Sequence, residues 1–218
     1  MSEPKTYIFS SQAIYQTEFW FKIALELKKE KKNTKILCFD QESHNFLNRE
    51  GFDHQFLEPD YNMNIKEIDD ILIKNNIENL DDILRHEIIY FGNRNYTKIK
   101  SKFCSYIKNL DIYFNNIDEK NTIIFQELSG FCSSLSIFNL ARKYSINNFF
   151  IEPSFFQGRF HLTKNTFMCD PINNKNSFKN FESIFDNIKT NKKIVIPKKD
   201  ISHFKSPTSK IFNLKNVM

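Results

Sequence analysis

The stretch TYIFSSQAIYQTEFWFKIALELKKEKKNTKILCFDQESHNFLNREGFDHQFL, residues 6–57, sets the fold class. Thr6–Phe9 is a short apolar, β-prone run, followed by polar Ser10, Ser11 and Gln12. Tyr15–Lys29 then repeats apolar residues at helical spacing, with Phe19, Trp20, Ile23, Ala24 and Leu27 on one face. Thr34–Phe39 is a second apolar run, ended by Asp40. A short helix through Phe46 and Leu47 closes at Gly51, a residue suited to a left-handed C-terminal cap. His54–Leu57 makes a third strand. Strand, helix, strand, helix, strand predicts a parallel sheet with right-handed crossovers, since parallel neighbours need a helix-length return.

Working outward, Ile65–Asn75, Leu80–Ile89 and Tyr96–Phe114 read as amphipathic, highly charged helices on the outside of that sheet, the last with Ile99, Phe103, Tyr106, Ile107 and Leu110 on its apolar side. The strand–helix pattern resumes at Thr122–Phe125. A turn at Gln126–Gly130, a helix at Ser133–Tyr144 and a strand at Asn148–Ile151, ending in Glu152-Pro153, follow. Phe178–Ile188 reads as a helix and Lys193–Ile196 as a last strand, stopped by Pro197. Residues 1–197 are thus expected to form one Rossmann-like α/β domain, an open parallel sheet flanked by helices. Residues 198–218 carry only scattered apolar side chains and read as a linker or docking tail.

Composition narrows the setting. The chain has 218 residues, 40% of them hydrophobic, which is enough to bury a core. The formal net charge of +5 is modest, and the basic runs, Lys28–Lys32, Lys192–Lys193 and Lys198–Lys199, are short. Nucleic-acid binders cluster such charge on one face, so no nucleic-acid partner is expected. Cys38, Cys104, Cys132 and Cys169 are far apart, with no Cys-x-x-Cys, and Cys38 and Cys132 read as buried thiols of a reducing compartment. Charged residues interrupt any N-terminal apolar run, and the longest uncharged stretch, Leu128 to Ala141, is too short and polar to span a bilayer. The expected location is the cytoplasm, with at most peripheral contact at the inner membrane.

In an open parallel sheet, ligands bind beyond the carboxyl ends of the strands. Ser10, Ser11, Gln12, Asp40, Gln126, Glu127, Ser129, Gly130 and Glu152 occupy those ends. Asp40 reads equally as a helix cap or a site residue. Gly130 before a helix lets the backbone approach a ligand, and the helix N-terminus favours an anion. Glu127 reads either as a general base or as a carboxylate capping the following helix. Farther on, Arg159 offers a planar fork for carboxylate or phosphate, and His161 offers acid–base chemistry. Gly-x-Gly-x-x-Gly, P-loop, Asp-x-Asp and Gly-x-Ser-x-Gly patterns are absent, and no His/Cys group has zinc spacing. Neither a metal nor a cofactor is expected.

The run from Thr122 to Phe167 resembles the N-terminal half of bacterial capsule polysaccharide biosynthesis proteins, relatives of two-domain glycosyltransferases of the GT-B type. The matching pieces are the apolar strand, the turn Glu127-Leu128-Ser129-Gly130 and the helix carrying Ala141-Arg142. The next strand follows, then Glu152 before an aromatic loop with Gly158-Arg159. The usual Asn-Gly of that turn is replaced here by Gln126-to-Gly130. The resemblance implies an acceptor-binding half, with Glu127 as catalytic base. Ser10, Ser11, Gln12, Asp40, Gln126, Ser129, Gly130, Glu152, Arg159 and His161 would line the site. It implies a glycan or glycolipid acceptor and a nucleotide-sugar donor held by a second domain or a partner chain. The rival expectation is a non-catalytic Rossmann-like interaction module that works with a partner chain.

Overall fold

The computed structural model describes residues 6–91, 95–153 and 160–167. The chain divides into two units, Met1–Ile151 with Leu162–Phe167, and Glu152–His161 with Met168–Met218. The fold below is that of the first. The helix and strand expected at 178–188 and 193–196, and the tail from 198, lie outside the described residues.

The opening pattern folds as read. β1 (Thr6–Ser11), β2 (Asn33–Cys38) and β3 (His54–Phe56) alternate with α1 (Ile14–Lys29) and α2 (Gln41–Arg49). Gly51 terminates α2 with φ +61, the left-handed conformation that a Cβ disfavours. α3 (Ile65–Lys74), α4 (Leu80–Phe91) and α5 (Tyr96–Phe114) then carry the chain back across the sheet. β4 (Thr122–Glu127), α6 (Cys132–Lys143), β5 (Asn147–Pro153) and β6 (Phe160–Lys164) follow. The sheet order is β3-β2-β1-β4-β5-β6, and the four pairings from β3 to β5 are parallel. This is a Rossmann-like α/β architecture.

Alternation sends successive strand residues to opposite faces. Phe9, Ile36 and Cys38 face α1 and α2 and pack with Trp20, Ala24 and Leu47. Across that face Phe9 stacks on Trp20 and Phe125, and Phe125 on Phe149, so aromatic pairs link β1, β4 and β5. Ile8, Leu37 and Ile124 face the other way, into the core made with α3–α6.

Several expectations need correction. Phe19, placed on the buried face of α1, is half exposed, while Trp20 and Ala24 carry the contact. α5 needs no such correction: its expected apolar side, Ile99, Phe103, Tyr106, Ile107 and Leu110, is buried in the larger core together with Phe114. Gln126 and Glu127 are the last residues of β4 and not part of the turn. β6 was not expected at all; it is largely exposed and lacks the apolar run by which strands are recognised. Among the described residues no helix is long and apolar enough to cross a membrane.

Candidate functional site

The order 3-2-1-4-5 changes direction between β1 and β4. β1 runs into α1 on one face, and β4 runs into α6 on the other, so their connections part at the carboxyl edge, the switch point where sheets of this order hold a ligand crevice. Two hydrogen bonds span it. The Gln16 side-chain amide of α1 donates to Glu127 Oε2 at 2.7 Å, and the Gln12 amide donates to Ser134 Oγ of α6. The Gln12 backbone N–H also donates to Gln16 Oε1 at 2.7 Å. The Gln16 amide is therefore oriented from one side and orients Glu127 on the other.

Behind this gate lies a chain of buried hydroxyls. Ser11 Oγ and Thr17 Oγ1 are 2.5 Å apart, and Thr17 Oγ1 donates to Ser43 Oγ at 2.6 Å. The chain ties the end of β1 to α1 and α2. Asp40 caps α2, its Oδ1 accepting the Ser43 N–H at 2.9 Å, while its Oδ2 is buried with no hydrogen-bond partner. The cap reading of Asp40 describes one oxygen only.

Ser10 and Gln126 sit one position beyond the paired Phe9 and Phe125, on neighbouring strands. Two residues after Ile8 and Ile124, they share the face that meets α3–α6. Ser10 is 2% exposed and Gln126 0% exposed. The Ser10 hydroxyl and both polar atoms of the Gln126 amide have no hydrogen-bond partner. A buried polar group without a partner costs on the order of 1–3 kcal/mol, so two side by side call for an explanation.

The turn after β4 is explained by packing. A Cβ on Gly130 would sit 2.7 Å from His86 Cγ and 3.0 Å from His86 Cβ, so the close approach that glycine permits is taken by α4. The His86 ring then meets Phe131 edge-on. Ser129 Oγ accepts the Phe131 N–H at 3.2 Å and shapes the turn. The N-terminus of α6, expected to favour an anion, already holds one: buried Glu87 of α4 accepts the Cys132 N–H at 2.9 Å and Lys102 Nζ at 2.6 Å. The carboxylate that caps this helix is thus Glu87 and not Glu127. Burial pushes the Glu87 carboxyl up, but the hydrogen bonds from Lys102 and Cys132 outweigh it and hold the group below the usual carboxylate range.

Glu152 is half-buried in β5, and His161 is an exposed residue of β6. Both fall in the second unit. Arg159 lies outside the described residues.

Sequence reasoning missed Gln16, Thr17, Ser43, Glu87 and Ser134, which sit inside helical patterns where polar residues read as solvated. It also missed a metal-competent group. Cys38, His44 and His54 bring their ligand atoms within 4.8 Å of one another. Spacing along the chain does not reveal this group, because its residues come from three separate elements.

No known protein family, no curated protein and no solved structure matches the chain.

Proposed function

We propose that the crevice between β1 and β4 binds a hydroxyl-rich, sugar-like ligand. On this reading the chain is the acceptor-side domain of a glycosyltransferase that builds a bacterial capsule or lipopolysaccharide. The observation that carries it is the Glu127 carboxylate, oriented by the Gln16 amide at the carboxyl edge; the buried, unpartnered Ser10 and Gln126 lie on the opposite face of the same strand ends. A sugar hydroxyl both donates and accepts, which is what an amide and a hydroxyl side by side require. Tyr15 and Phe19 on the first turns of α1 are 55% and 50% exposed and supply rings of the kind that sugars stack on.

In the reaction, an acceptor hydroxyl lies against Glu127 and attacks the anomeric carbon of an activated sugar. The new C–O bond forms as the bond to the leaving phosphate breaks. Glu127 takes the hydroxyl proton, and the Gln16 N–H holds the carboxylate in place. The nucleotide donor belongs to a second domain or a partner chain, and the acceptor, a glycan or glycolipid, brings the protein to the membrane surface as a peripheral visitor.

Ligand-observed NMR with a panel of mono- and disaccharides tests the binding step, and transfer by the complete enzyme tests the chemistry. Glu127→Gln is expected to keep saccharide binding within about tenfold and to lower transfer by at least the roughly hundredfold typical of a lost general base. Transfer that is unchanged in Glu127→Gln would sink the base assignment. If no saccharide binds, the non-catalytic interaction module becomes the better reading.

A further inference from the structure

We infer that Cys38, His44 and His54 form a binding site for one zinc ion, apart from the crevice and independent of the sugar reading. Cys38 ends β2 and His54 opens β3, and the register pairs Ile36 with His54 and Cys38 with Phe56. Alternation therefore puts Cys38 and His54 on the same face of neighbouring strands. That face is covered by α2, which contributes His44. The three ligand atoms lie within 4.8 Å of one another, with His44 Nδ1 and His54 Nε2 at 2.9 Å. Tetrahedral zinc with Zn–N near 2.1 Å separates two such nitrogens by about 3.4 Å, so the rings need open by only about half an ångström.

The surroundings are those of metal ligands. His54 turns its other nitrogen to the Phe52 carbonyl at 2.8 Å, the outer contact that fixes the tautomer leaving Nε2 free for a metal. His44 stacks on Phe56, with ring centroids 4.6 Å apart, and its Nε2 meets the Asn48 side-chain amide at 2.9 Å. Without metal, the protons run in one direction: Asn48 donates to His44, His44 to His54, and His54 to Phe52. On binding, His44 moves its proton to Nε2 and donates to the Asn48 oxygen after an amide flip, while the Cys38 thiol releases its proton to solvent. One thiolate and two imidazoles suit zinc and disfavour magnesium or calcium, which want oxygen. Cys38 is buried and both histidines are half-buried, so the ion enters past the imidazoles. Three protein ligands leave a fourth tetrahedral position, filled by water in zinc sites of that kind.

Cobalt(II) titration of the purified protein tests this. One ion per chain is expected. It should give the strong visible bands of four-coordinate cobalt and a thiolate-to-cobalt charge-transfer band in the near ultraviolet, with zinc displacing cobalt. Cys38→Ser should remove the charge-transfer band. The double variant His44→Gln/His54→Gln should weaken binding on the order of a hundredfold or more, and Asn48→Ala on the order of tenfold. Circular dichroism establishes that each variant is folded; should Cys38→Ser unfold, the double histidine variant decides. Absence of the charge-transfer band in the folded parent protein, or its survival in the double histidine variant, overturns the site.

Discussion

Two regions treat buried polarity differently: the ion pairs among helices α3–α6, and the carboxyl edge of the strands. On the α3–α6 side the buried carboxylates are closed by charge. Asp111 accepts from Lys74 and Lys143, each at 2.6 Å, and from the Tyr144 hydroxyl at 2.8 Å. Glu87 is closed by Lys102 and a helix N-terminus. At the carboxyl edge of β1, β2 and β4, the groups are neutral amides and hydroxyls with two carboxylates, Glu127 and Asp40. Ser10, Gln126 and one oxygen of Asp40 go without partners. Satisfied networks fix a fold, while unsatisfied ones cost stability and persist where something else requires them. The contrast sets residues that hold this protein together by charge against buried groups that cost it stability.

The sharpest way to break the contrast is to remove Asp111. Asp111→Ala should destabilise the protein by about 3 kcal/mol, the low end for breaking a buried ion pair, because both lysines reach solvent once released. Urea unfolding measures it, and a loss under about 1 kcal/mol would make the network ornamental.

Next comes acid. Burial raises the Asp111 carboxyl, but hydrogen bonds from Lys143, Lys74 and Tyr144 prevail and hold it at about 2. A carboxyl depressed in the folded state stabilises fully above its unfolded value and loses that contribution as pH falls through its folded value. About 2 kcal/mol should therefore disappear between roughly pH 4 and pH 2, with Glu87 acting in the same direction. Asp111→Asn should flatten that part of the stability–pH curve; an unchanged slope would assign the acid sensitivity elsewhere.

Gly130→Ala is expected to cost about 2 kcal/mol, because the contact is at His86 Cγ and Cβ, near the backbone, where the ring cannot simply swing clear. The double variant with His86→Ala should recover most of it, and failure to recover would mean that Gly130 is needed for another reason. The smallest effect has the opposite sign. Gln126→Leu should stabilise the fold by about 1 kcal/mol, since it replaces a buried amide without partners by an apolar side chain of similar size. The same variant should lose saccharide binding. Destabilisation would place Gln126 with Asp111 and erase the contrast.

Much of the fold was legible because period-2 and period-3.6 patterns are strong in residues 6–57 and 122–151. Ser10, Ser11 and Gln12 were legible as candidates because every strand of a parallel sheet ends at one edge. Gln126 and Glu127 were read as turn because polar residues end apolar runs, yet the ladder continues through them. The buried side of α5 was legible from its apolar spacing, but the inward turn of Lys102 to Glu87 was not, since lysines in a helical pattern read as solvated. β6 has no buried run to read. The partners at the crevice were illegible for a different reason: Gln16, Thr17 and Ser134 gain their meaning from strand order, which no local pattern contains. Cys38, His44 and His54 meet only through register and helix placement.

The position of β1 also governs how the chain finds its fold. β1 joins β2 through one short helical return, but it joins β4 only after α3, α4 and α5 have been laid down, so that Thr6 lies beside Thr122. Closing that long loop costs entropy before any of its contacts can repay it, and pairings of this kind form late. The seam between β1 and β4 is therefore expected to be the slow step of assembly. In pulse-labelled refolding, amides of β1 and β2 should gain protection before those of β4, leaving Glu127 and Gln126 as latecomers to a half-built sheet.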